Sequence, residues 1–252
     1  MSQLHKINLR RIKTVIKAIL FDLDGTLLPM DNNVFVKGYF GLLCKKLAPY
    51  GYEANAMVQG IWTATKAMVM NDGSVLNEKV FWKVFAEIMG EEILQYQHLF
   101  DEFYIEEFKK TKEFCGYNPE TRRLIDWVKE QGLRIVCATN PIFPKLATMH
   151  RMNFAGIDAT DFEYFTHYEN SSFCKPNPAY YTQVLEHCGL KPEECIMVGN
   201  DATEDLAAAK LGMEVFLLTD CLINDKSVDI SGVSQGGFEE LKGFILSRIN
   251  CN

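Results

Sequence analysis

No stretch of this chain of 252 residues reaches the ~18 consecutive apolar residues that cross a bilayer, which argues against a membrane protein. No two of the eight cysteines form a C-x-x-C pair. Cys44, Cys115, Cys137, Cys174, Cys188, Cys195, Cys221 and Cys251 are scattered, several of them inside apolar runs. They read as reduced thiols used as small hydrophobes, and the expected compartment is the cytoplasm. An excess of positive charge is missing too. With 26 Lys and Arg against 33 Asp and Glu the net charge is -7, the wrong sign for a nucleic-acid binder. The one basic stretch, His5 to Lys17, alternates with Ile7, Leu9, Ile12, Val15 and Ile16. It has no continuous apolar core and no small-residue cleavage site, so it reads as a solvated leader that packs at its end rather than a targeting peptide. No internal repeat or low-complexity segment is present. What remains is ample core material, 48% hydrophobic and 12% aromatic residues, enough for one large domain or a core plus a smaller one.

The chain is organised around Ala18-Ile19-Leu20-Phe21-Asp22-Leu23-Asp24-Gly25-Thr26. The apolar run to Phe21 has the composition of a strand buried in a parallel sheet. Asp22 and Asp24 lie one residue apart, and in a regular strand they would face opposite sides. The chain must bend there for both to serve one site, and Gly25 supplies the freedom. The carboxyl end of such a strand is where open α/β sheets bind ligands.

Beyond Pro29, Asn32 or Asn33 is placed to cap a helix. Four helical stripes follow without a strand pattern: Phe35 to Leu47, Met57 to Met68, Phe81 to Met89, and Leu94 to Phe108. Their aromatics and methionines read as packing between helices of a small bundle. Cys115 to Pro119 returns the chain to the core, and a helix follows to Gly132. Leu133–Ala138 reads as a strand, Pro144 to Met152 as a helix resting on Leu146 and Met149, and Phe162 to Phe165 as a short strand. Lys175-Pro176-Asn177-Pro178 begins a helix that runs through Tyr181, Val184 and Leu185 and closes at Gly189. Glu194 to Gly199 reads as a strand, the Leu206–Ala209 run as a helix, and Val215 to Leu218 as the last strand. Ser227 to Gly237 reads as a loose loop, and Phe238 to Ile249 as a final helix.

Strands alternating with helices predict a parallel sheet with right-handed crossovers and helices on both faces. Each strand ends in a polar cluster: Asp22 and Asp24, then Thr139 and Asn140, then Asp201 and Asp205. Strand ends of one parallel sheet share an edge, so the clusters should meet. Singly each has an ordinary explanation, as a helix cap or a solvated loop residue. Gathered, Asp22, Asp24, Asp201 and Asp205 would repel, at about 4 kcal/mol per pair 4 Å apart for an effective dielectric near 20. Such a cluster wants a hard cation, and Mg²⁺ suits one or two carboxylates completed by waters and a phosphate.

The four motifs resemble those of the haloacid dehalogenase-like (HAD) superfamily. Asp22-x-Asp24-Gly25-Thr26 is similar to the first, Thr139 after its strand to the second, Lys175-Pro176 to the third, and Gly199-Asn200-Asp201-x-x-x-Asp205 to the fourth, with Asn200 where many members have Asp. The resemblance implies a doubly wound, Rossmann-like α/β core over residues 1–30 and 113–252 and an all-helical cap over residues 31–112. It implies a Mg²⁺-dependent phosphatase acting on a small phosphomonoester, with Asp22 as nucleophile forming an aspartyl-phosphate. Asp24 is then the general acid and base. Thr26, Thr139, Asn140 and Lys175 hold the phosphoryl group, and Asp22, Asp24, Asp201 and Asp205 form the metal site. Asp205 orients Lys175 or a metal-bound water. Asp24 speaks against dehalogenation, because a departing halide needs no proton. A phosphomutase of the same superfamily and a non-catalytic phosphate-ligand binder are the alternatives. Phe35, Tyr39, Trp62, Lys66 and Trp82 are candidates for cap residues that choose the substrate.

Overall fold

The computed structural model describes residues 15–249. Most of the basic leader lies outside that range, as does Cys251; of its end, Ile16 is buried.

Six strands form one parallel sheet in the order β3-β2-β1-β4-β5-β6. They are β1 (Ala18–Phe21), β2 (Arg134–Cys137), β3 (Tyr164–Phe165), β4 (Cys195–Gly199), β5 (Glu214–Leu218) and β6 (Ser234–Gly236). β1 lies between β2 and β4, with Leu20 in register with Val136 on one side and Met197 on the other. All four of its residues are buried, which is why its sequence is apolar throughout rather than alternating.

The period-two geometry of strands splits these residues between two cores. Ile19, Phe21, Ile135, Cys137, Ile196, Val198, Phe216 and Leu218 join one hydrophobic cluster. Ala18, Leu20, Val136, Cys195, Met197, Val215 and Leu217 join the other. The helices over the first face are α5 (Glu120–Glu130), α6 (Lys145–Phe154) and α8 (Phe238–Ile249), through Leu124, Val128, Met152, Leu241 and Ile245. On the second face α7 (Pro178–Cys188) packs through Tyr180, Tyr181 and Val184, beside Ala207 and Ala208. This is the doubly wound sheet expected from the sequence.

Between β1 and α5 the chain forms α1 (Asn32–Leu47), α2 (Ala54–Val69), α3 (Asn77–Met89) and α4 (Gln97–Ile105). It leaves and returns side by side: Met30 and Cys115 form an antiparallel bridge, and the Gly116 N–H donates to the Pro29 carbonyl at 2.7 Å. Phe35, Tyr39, Phe100, Phe103 and Phe108 from this segment belong to the same cluster as α5 and α6.

Several local expectations are corrected. Asp31, not Asn32 or Asn33, caps α1, its carboxylate accepting from the N–H groups of Asn33 and Val34. The single helix expected over Leu94 to Phe108 is three pieces, a 3-10 turn at Glu91–Tyr96, then α4, then a 3-10 run at Glu107–Phe114. The run from Asp205 to Leu211 is also 3-10 rather than α. The segment expected as a loose loop carries β6, whose Gln235 is in register with Leu217 of β5. On α6 the buried face is Ala147, Thr148, Arg151 and Met152, while Leu146 and Met149 are only half-buried.

Candidate active site

Asp22 follows β1 directly, and its N–H continues the sheet ladder by donating to the Val198 carbonyl at 2.8 Å. The chain then doubles back: the N–H groups of Thr26 and Leu28 donate to the Leu23 carbonyl, and that of Gly25 to Leu28. Gly25 sits at φ 82°, and a Cβ there would collide with the Asn200 side chain. A left-handed backbone and a close approach at one position leave glycine as the residue that fits. The turn brings Asp22, Asp24 and Thr26 to the carboxyl edge of the sheet, the edge at which such folds bind ligands.

There Lys175, fully buried, bridges two carboxylates. Its Nζ donates to Asp22 Oδ1 at 2.9 Å and to Asp205 Oδ1 at 2.7 Å. Thr26 Oγ1 lies 3.2 Å from Asp22 Oδ2 and 3.1 Å from Asn200 Oδ1. The other oxygen of Asp205 accepts from the Asp201 N–H at 2.9 Å, and a Cβ on Gly199 would strike it. Thr139 is buried, and its carbonyl accepts from the Thr166 and Tyr180 hydroxyls at 2.6 and 2.9 Å. Asn140 ties two elements together, accepting from the Lys175 N–H at 3.2 Å and donating to Glu204 Oε1 at 2.9 Å.

Asp22, Asp24, Thr139, Asn140 and Asp205 line one cavity of about 340 Å³, with Asn200, Glu204 and Arg151. Lys175 and Thr26 reach it through their bonds to Asp22. Asp201 is placed differently. Its Oδ1 accepts from the N–H groups of Thr203 and Glu204 at 2.7 and 2.9 Å, and it lines an adjoining open cleft. Among the described residues no three His, Cys, Asp or Glu side chains converge as a ready-made cage for a metal.

The electrostatics reflect an excess of acid in a confined space. Burial pushes the Asp22 carboxyl up to about 7, with Lys175 pulling it down and Asp205 and Asp24 pushing it further up. Glu204 is pushed up to about 8, again chiefly by burial. Burial opposes the charge on Lys175, but Asp205 and Asp22 more than offset it and hold the ammonium well above its ordinary value.

Arg151 and Glu204 did not emerge from the motif spacing. Arg151, on the inner face of α6, pairs through Nη1 with Asp24 Oδ2 and stacks its guanidinium 4.5 Å over the Phe143 ring. The other Asp24 oxygen, Oδ1, is buried without a hydrogen-bond partner. The available signal was a cation four residues after Ala147, on the face that packs inward. Glu204 is one residue before Asp205, and its sequence position resembles an ordinary helix-start acid.

Residues 16–212 match the family model of haloacid dehalogenase-like hydrolases, and the chain belongs to that family. Among its relatives, the glyceraldehyde 3-phosphate phosphatase of Methanothermobacter thermautotrophicus is 28% identical over 81% of this chain and 86% of its own length. The phosphoglycolate phosphatase of Vibrio cholerae is 27% identical over 81% of this chain and 84% of its own. In fold the chain is similar to a 2-haloacid dehalogenase of Pseudomonas syringae pv. tomato, with a TM-score of 0.61 at 18% identity over 93% of this chain and 99% of that one.

Proposed function

We propose that the protein is a phosphatase that hydrolyses a small phosphomonoester through a covalent intermediate on Asp22. The observation that carries this reading is the pairing of a buried carboxylate with a buried lysine beside a second acid, Asp24, that keeps one oxygen free. The phosphatase names of the two relatives support it. The likeness to a dehalogenase does not oppose it, because a shared fold does not fix the chemistry. Asp24 argues for a leaving group that needs a proton, an alkoxide rather than a halide.

In this reading Asp22 attacks phosphorus and the ester bond breaks, leaving an aspartyl-phosphate. Asp24 gives its proton to the departing oxygen, then takes one from the water that attacks the acyl-phosphate. Lys175 and Thr139 hold the phosphoryl oxygens, with Thr26 and Asn140 supporting Asp22 and Lys175. Asp205 acts on the reaction through Lys175. Four carboxylates, Asp22, Asp24, Glu204 and Asp205, line the cavity, a donor chemistry that fits a hard cation. Mg²⁺ is bound through one or two protein carboxylates completed by waters and substrate phosphate, a donor number that Asp22 and Asp201 can supply. Asp22, the main-chain carbonyl of Asp24, and Asp201 would hold it in this proposal. Bound there, it would offset charge between the nucleophile and the phosphate. Helices α1 to α4 act as the cap, residues 31–112 against a core of residues 1–30 and 113–252, excluding bulk water from the cavity.

The test is hydrolysis of para-nitrophenyl phosphate by wild type and Asp22→Asn, with Mg²⁺ and with a chelator. Turnover that needs the metal and is abolished by Asp22→Asn supports the reading. Unchanged turnover in Asp22→Asn would refute the nucleophile, and no turnover by the folded, Mg²⁺-supplied wild type would refute the phosphatase.

A further inference from the structure

A second cavity, of about 70 Å³, lies between the helical segment and the loops after β2 and β3, walled by Tyr39, Trp62, Trp82, Phe100, Phe143 and Tyr168 among others. It shares Val36, Trp62, Ile142 and Phe143 with the cavity that holds Asp22 and Asp24, so the two adjoin. From this juxtaposition we propose that the alcohol part of the substrate carries an uncharged, apolar group, which seats against these aromatic walls while its phosphate faces Asp22. The proposal rests on the phosphatase reading and names the substrate class for that site.

Three observations carry it. Protein interiors leave few voids larger than one water, and this space is several times what a water requires. A cavity with such walls is poor in partners for water and suits an apolar occupant. Second, the polar groups there are already engaged or neutral. The Tyr39 and Tyr104 hydroxyls bond each other at 2.9 Å, and burial pushes the Tyr39 phenol up to about 12, so it carries no charge near neutrality. Third, no charged residue lines this cavity among the described residues, and Lys66 of α2 is exposed instead. The nearest cations are matched, Arg151 by Asp24 and Lys175 by Asp22 and Asp205. A second anion on the substrate, such as the carboxylate of phosphoglycolate, would be desolvated without a free partner.

Trp62 and Trp82 are two of the chain's three tryptophans, so intrinsic fluorescence reports the cavity directly. Non-hydrolysable phosphonates separate binding from turnover. With Mg²⁺ present, benzylphosphonate is expected to bind at least ~10-fold more tightly than phosphonoacetate, the range a well-shaped apolar pocket provides. Thr65→Phe fills the cavity from its wall. It is expected to weaken benzylphosphonate about 5-fold more than methylphosphonate. Equal or tighter binding of phosphonoacetate overturns the proposal, as does an equal effect of Thr65→Phe on both ligands. The wild-type comparison decides the matter even if that variant fails to fold. Turnover separates the two readings. Hydrolysis that prefers phosphoglycolate to phenyl phosphate sinks the apolar subsite and leaves the phosphatase standing. Selective benzylphosphonate binding with neither ester hydrolysed does the reverse.

Discussion

Arg151 is a cation with only 2% of its side chain exposed, held on the inner face of a helix that packs against the sheet. An ion in that position costs several kcal/mol unless it is paired and hydrogen-bonded. Asp24 supplies the charge, Thr148 Oγ1 accepts from Nη2 at 3.3 Å, and the Phe143 ring covers the guanidinium. The same contact fixes one oxygen of Asp24 and leaves the other free beside Asp22, so a structural pair also positions a proposed proton carrier. Arg151→Met should destabilise the protein by about 3 kcal/mol, most of it from leaving a carboxylate unmatched in a confined site. Combining it with Asp24→Asn removes that carboxylate, and the double variant should recover about 1–2 kcal/mol relative to additivity. Urea denaturation of the wild type, both single variants and the double variant measures this. Additive losses would mean that the two residues do not act as a pair.

At the scale of elements, α5 is tied to the loop after α6 through one carboxylate. Arg122 Nη1 and Lys129 Nζ, one near each end of the helix, both donate to Asp161 at 2.5 Å. Burial opposes the charge on Asp161, but the bonds from Arg122 and Lys129 outweigh it and lower its pKa from 3.8 to about 2. The native state therefore releases this proton more readily than the unfolded chain does. The resulting stability is complete above pH about 4 and is lost as the pH falls through about 2. Asp161→Asn should cost about 1 kcal/mol at neutral pH, the figure for a partly solvated network, and the difference from wild type should shrink towards zero near pH 2. Thermal melts of both proteins across that window read it; a difference that does not vary with pH would show that the charge contributes nothing.

Elements such as α5 and α8 were legible because each presents one apolar stripe and ends at a stop or a polar tail. The break at Glu106 was not, because Phe100, Phe103, Tyr104 and Phe108 recur at three-to-four spacing whether the backbone is α or 3-10. β6 was illegible for the opposite reason. Ser234, Gln235 and Gly236 bring no apolar residue, and their place is set by backbone pairing with β5. The convergence of Asp22, Asp24, Thr139, Asn140 and Asp205 was readable, since parallel strand ends must share an edge. The orientation of Asp201, bonded to the N–H groups of the turn that follows it, depends on a local turn that residue order does not specify.

At the scale of the molecule, a chain of net charge -7 places further acid where it can least be solvated. Asp22, Asp24, Glu204 and Asp205 line one cavity, against Arg151 on its wall and Lys175 beside it. Folding assembles this repulsion, so a cation that binds there binds the native state alone and stabilises it by mass action. Raising Mg²⁺ to 100 times its dissociation constant should add about 2.7 kcal/mol, a rise of roughly 2–4 °C per kcal/mol in melting temperature for a chain of this size. The rise should saturate, should exceed that from NaCl at equal ionic strength, and should be largely lost in Asp22→Asn. That variant should itself melt higher than wild type in a chelator, because one charge of the repelling group is gone. A wild-type melting temperature that responds alike to Mg²⁺ and to matched NaCl would mean that the gathered acids screen one another through solvent and hold no metal.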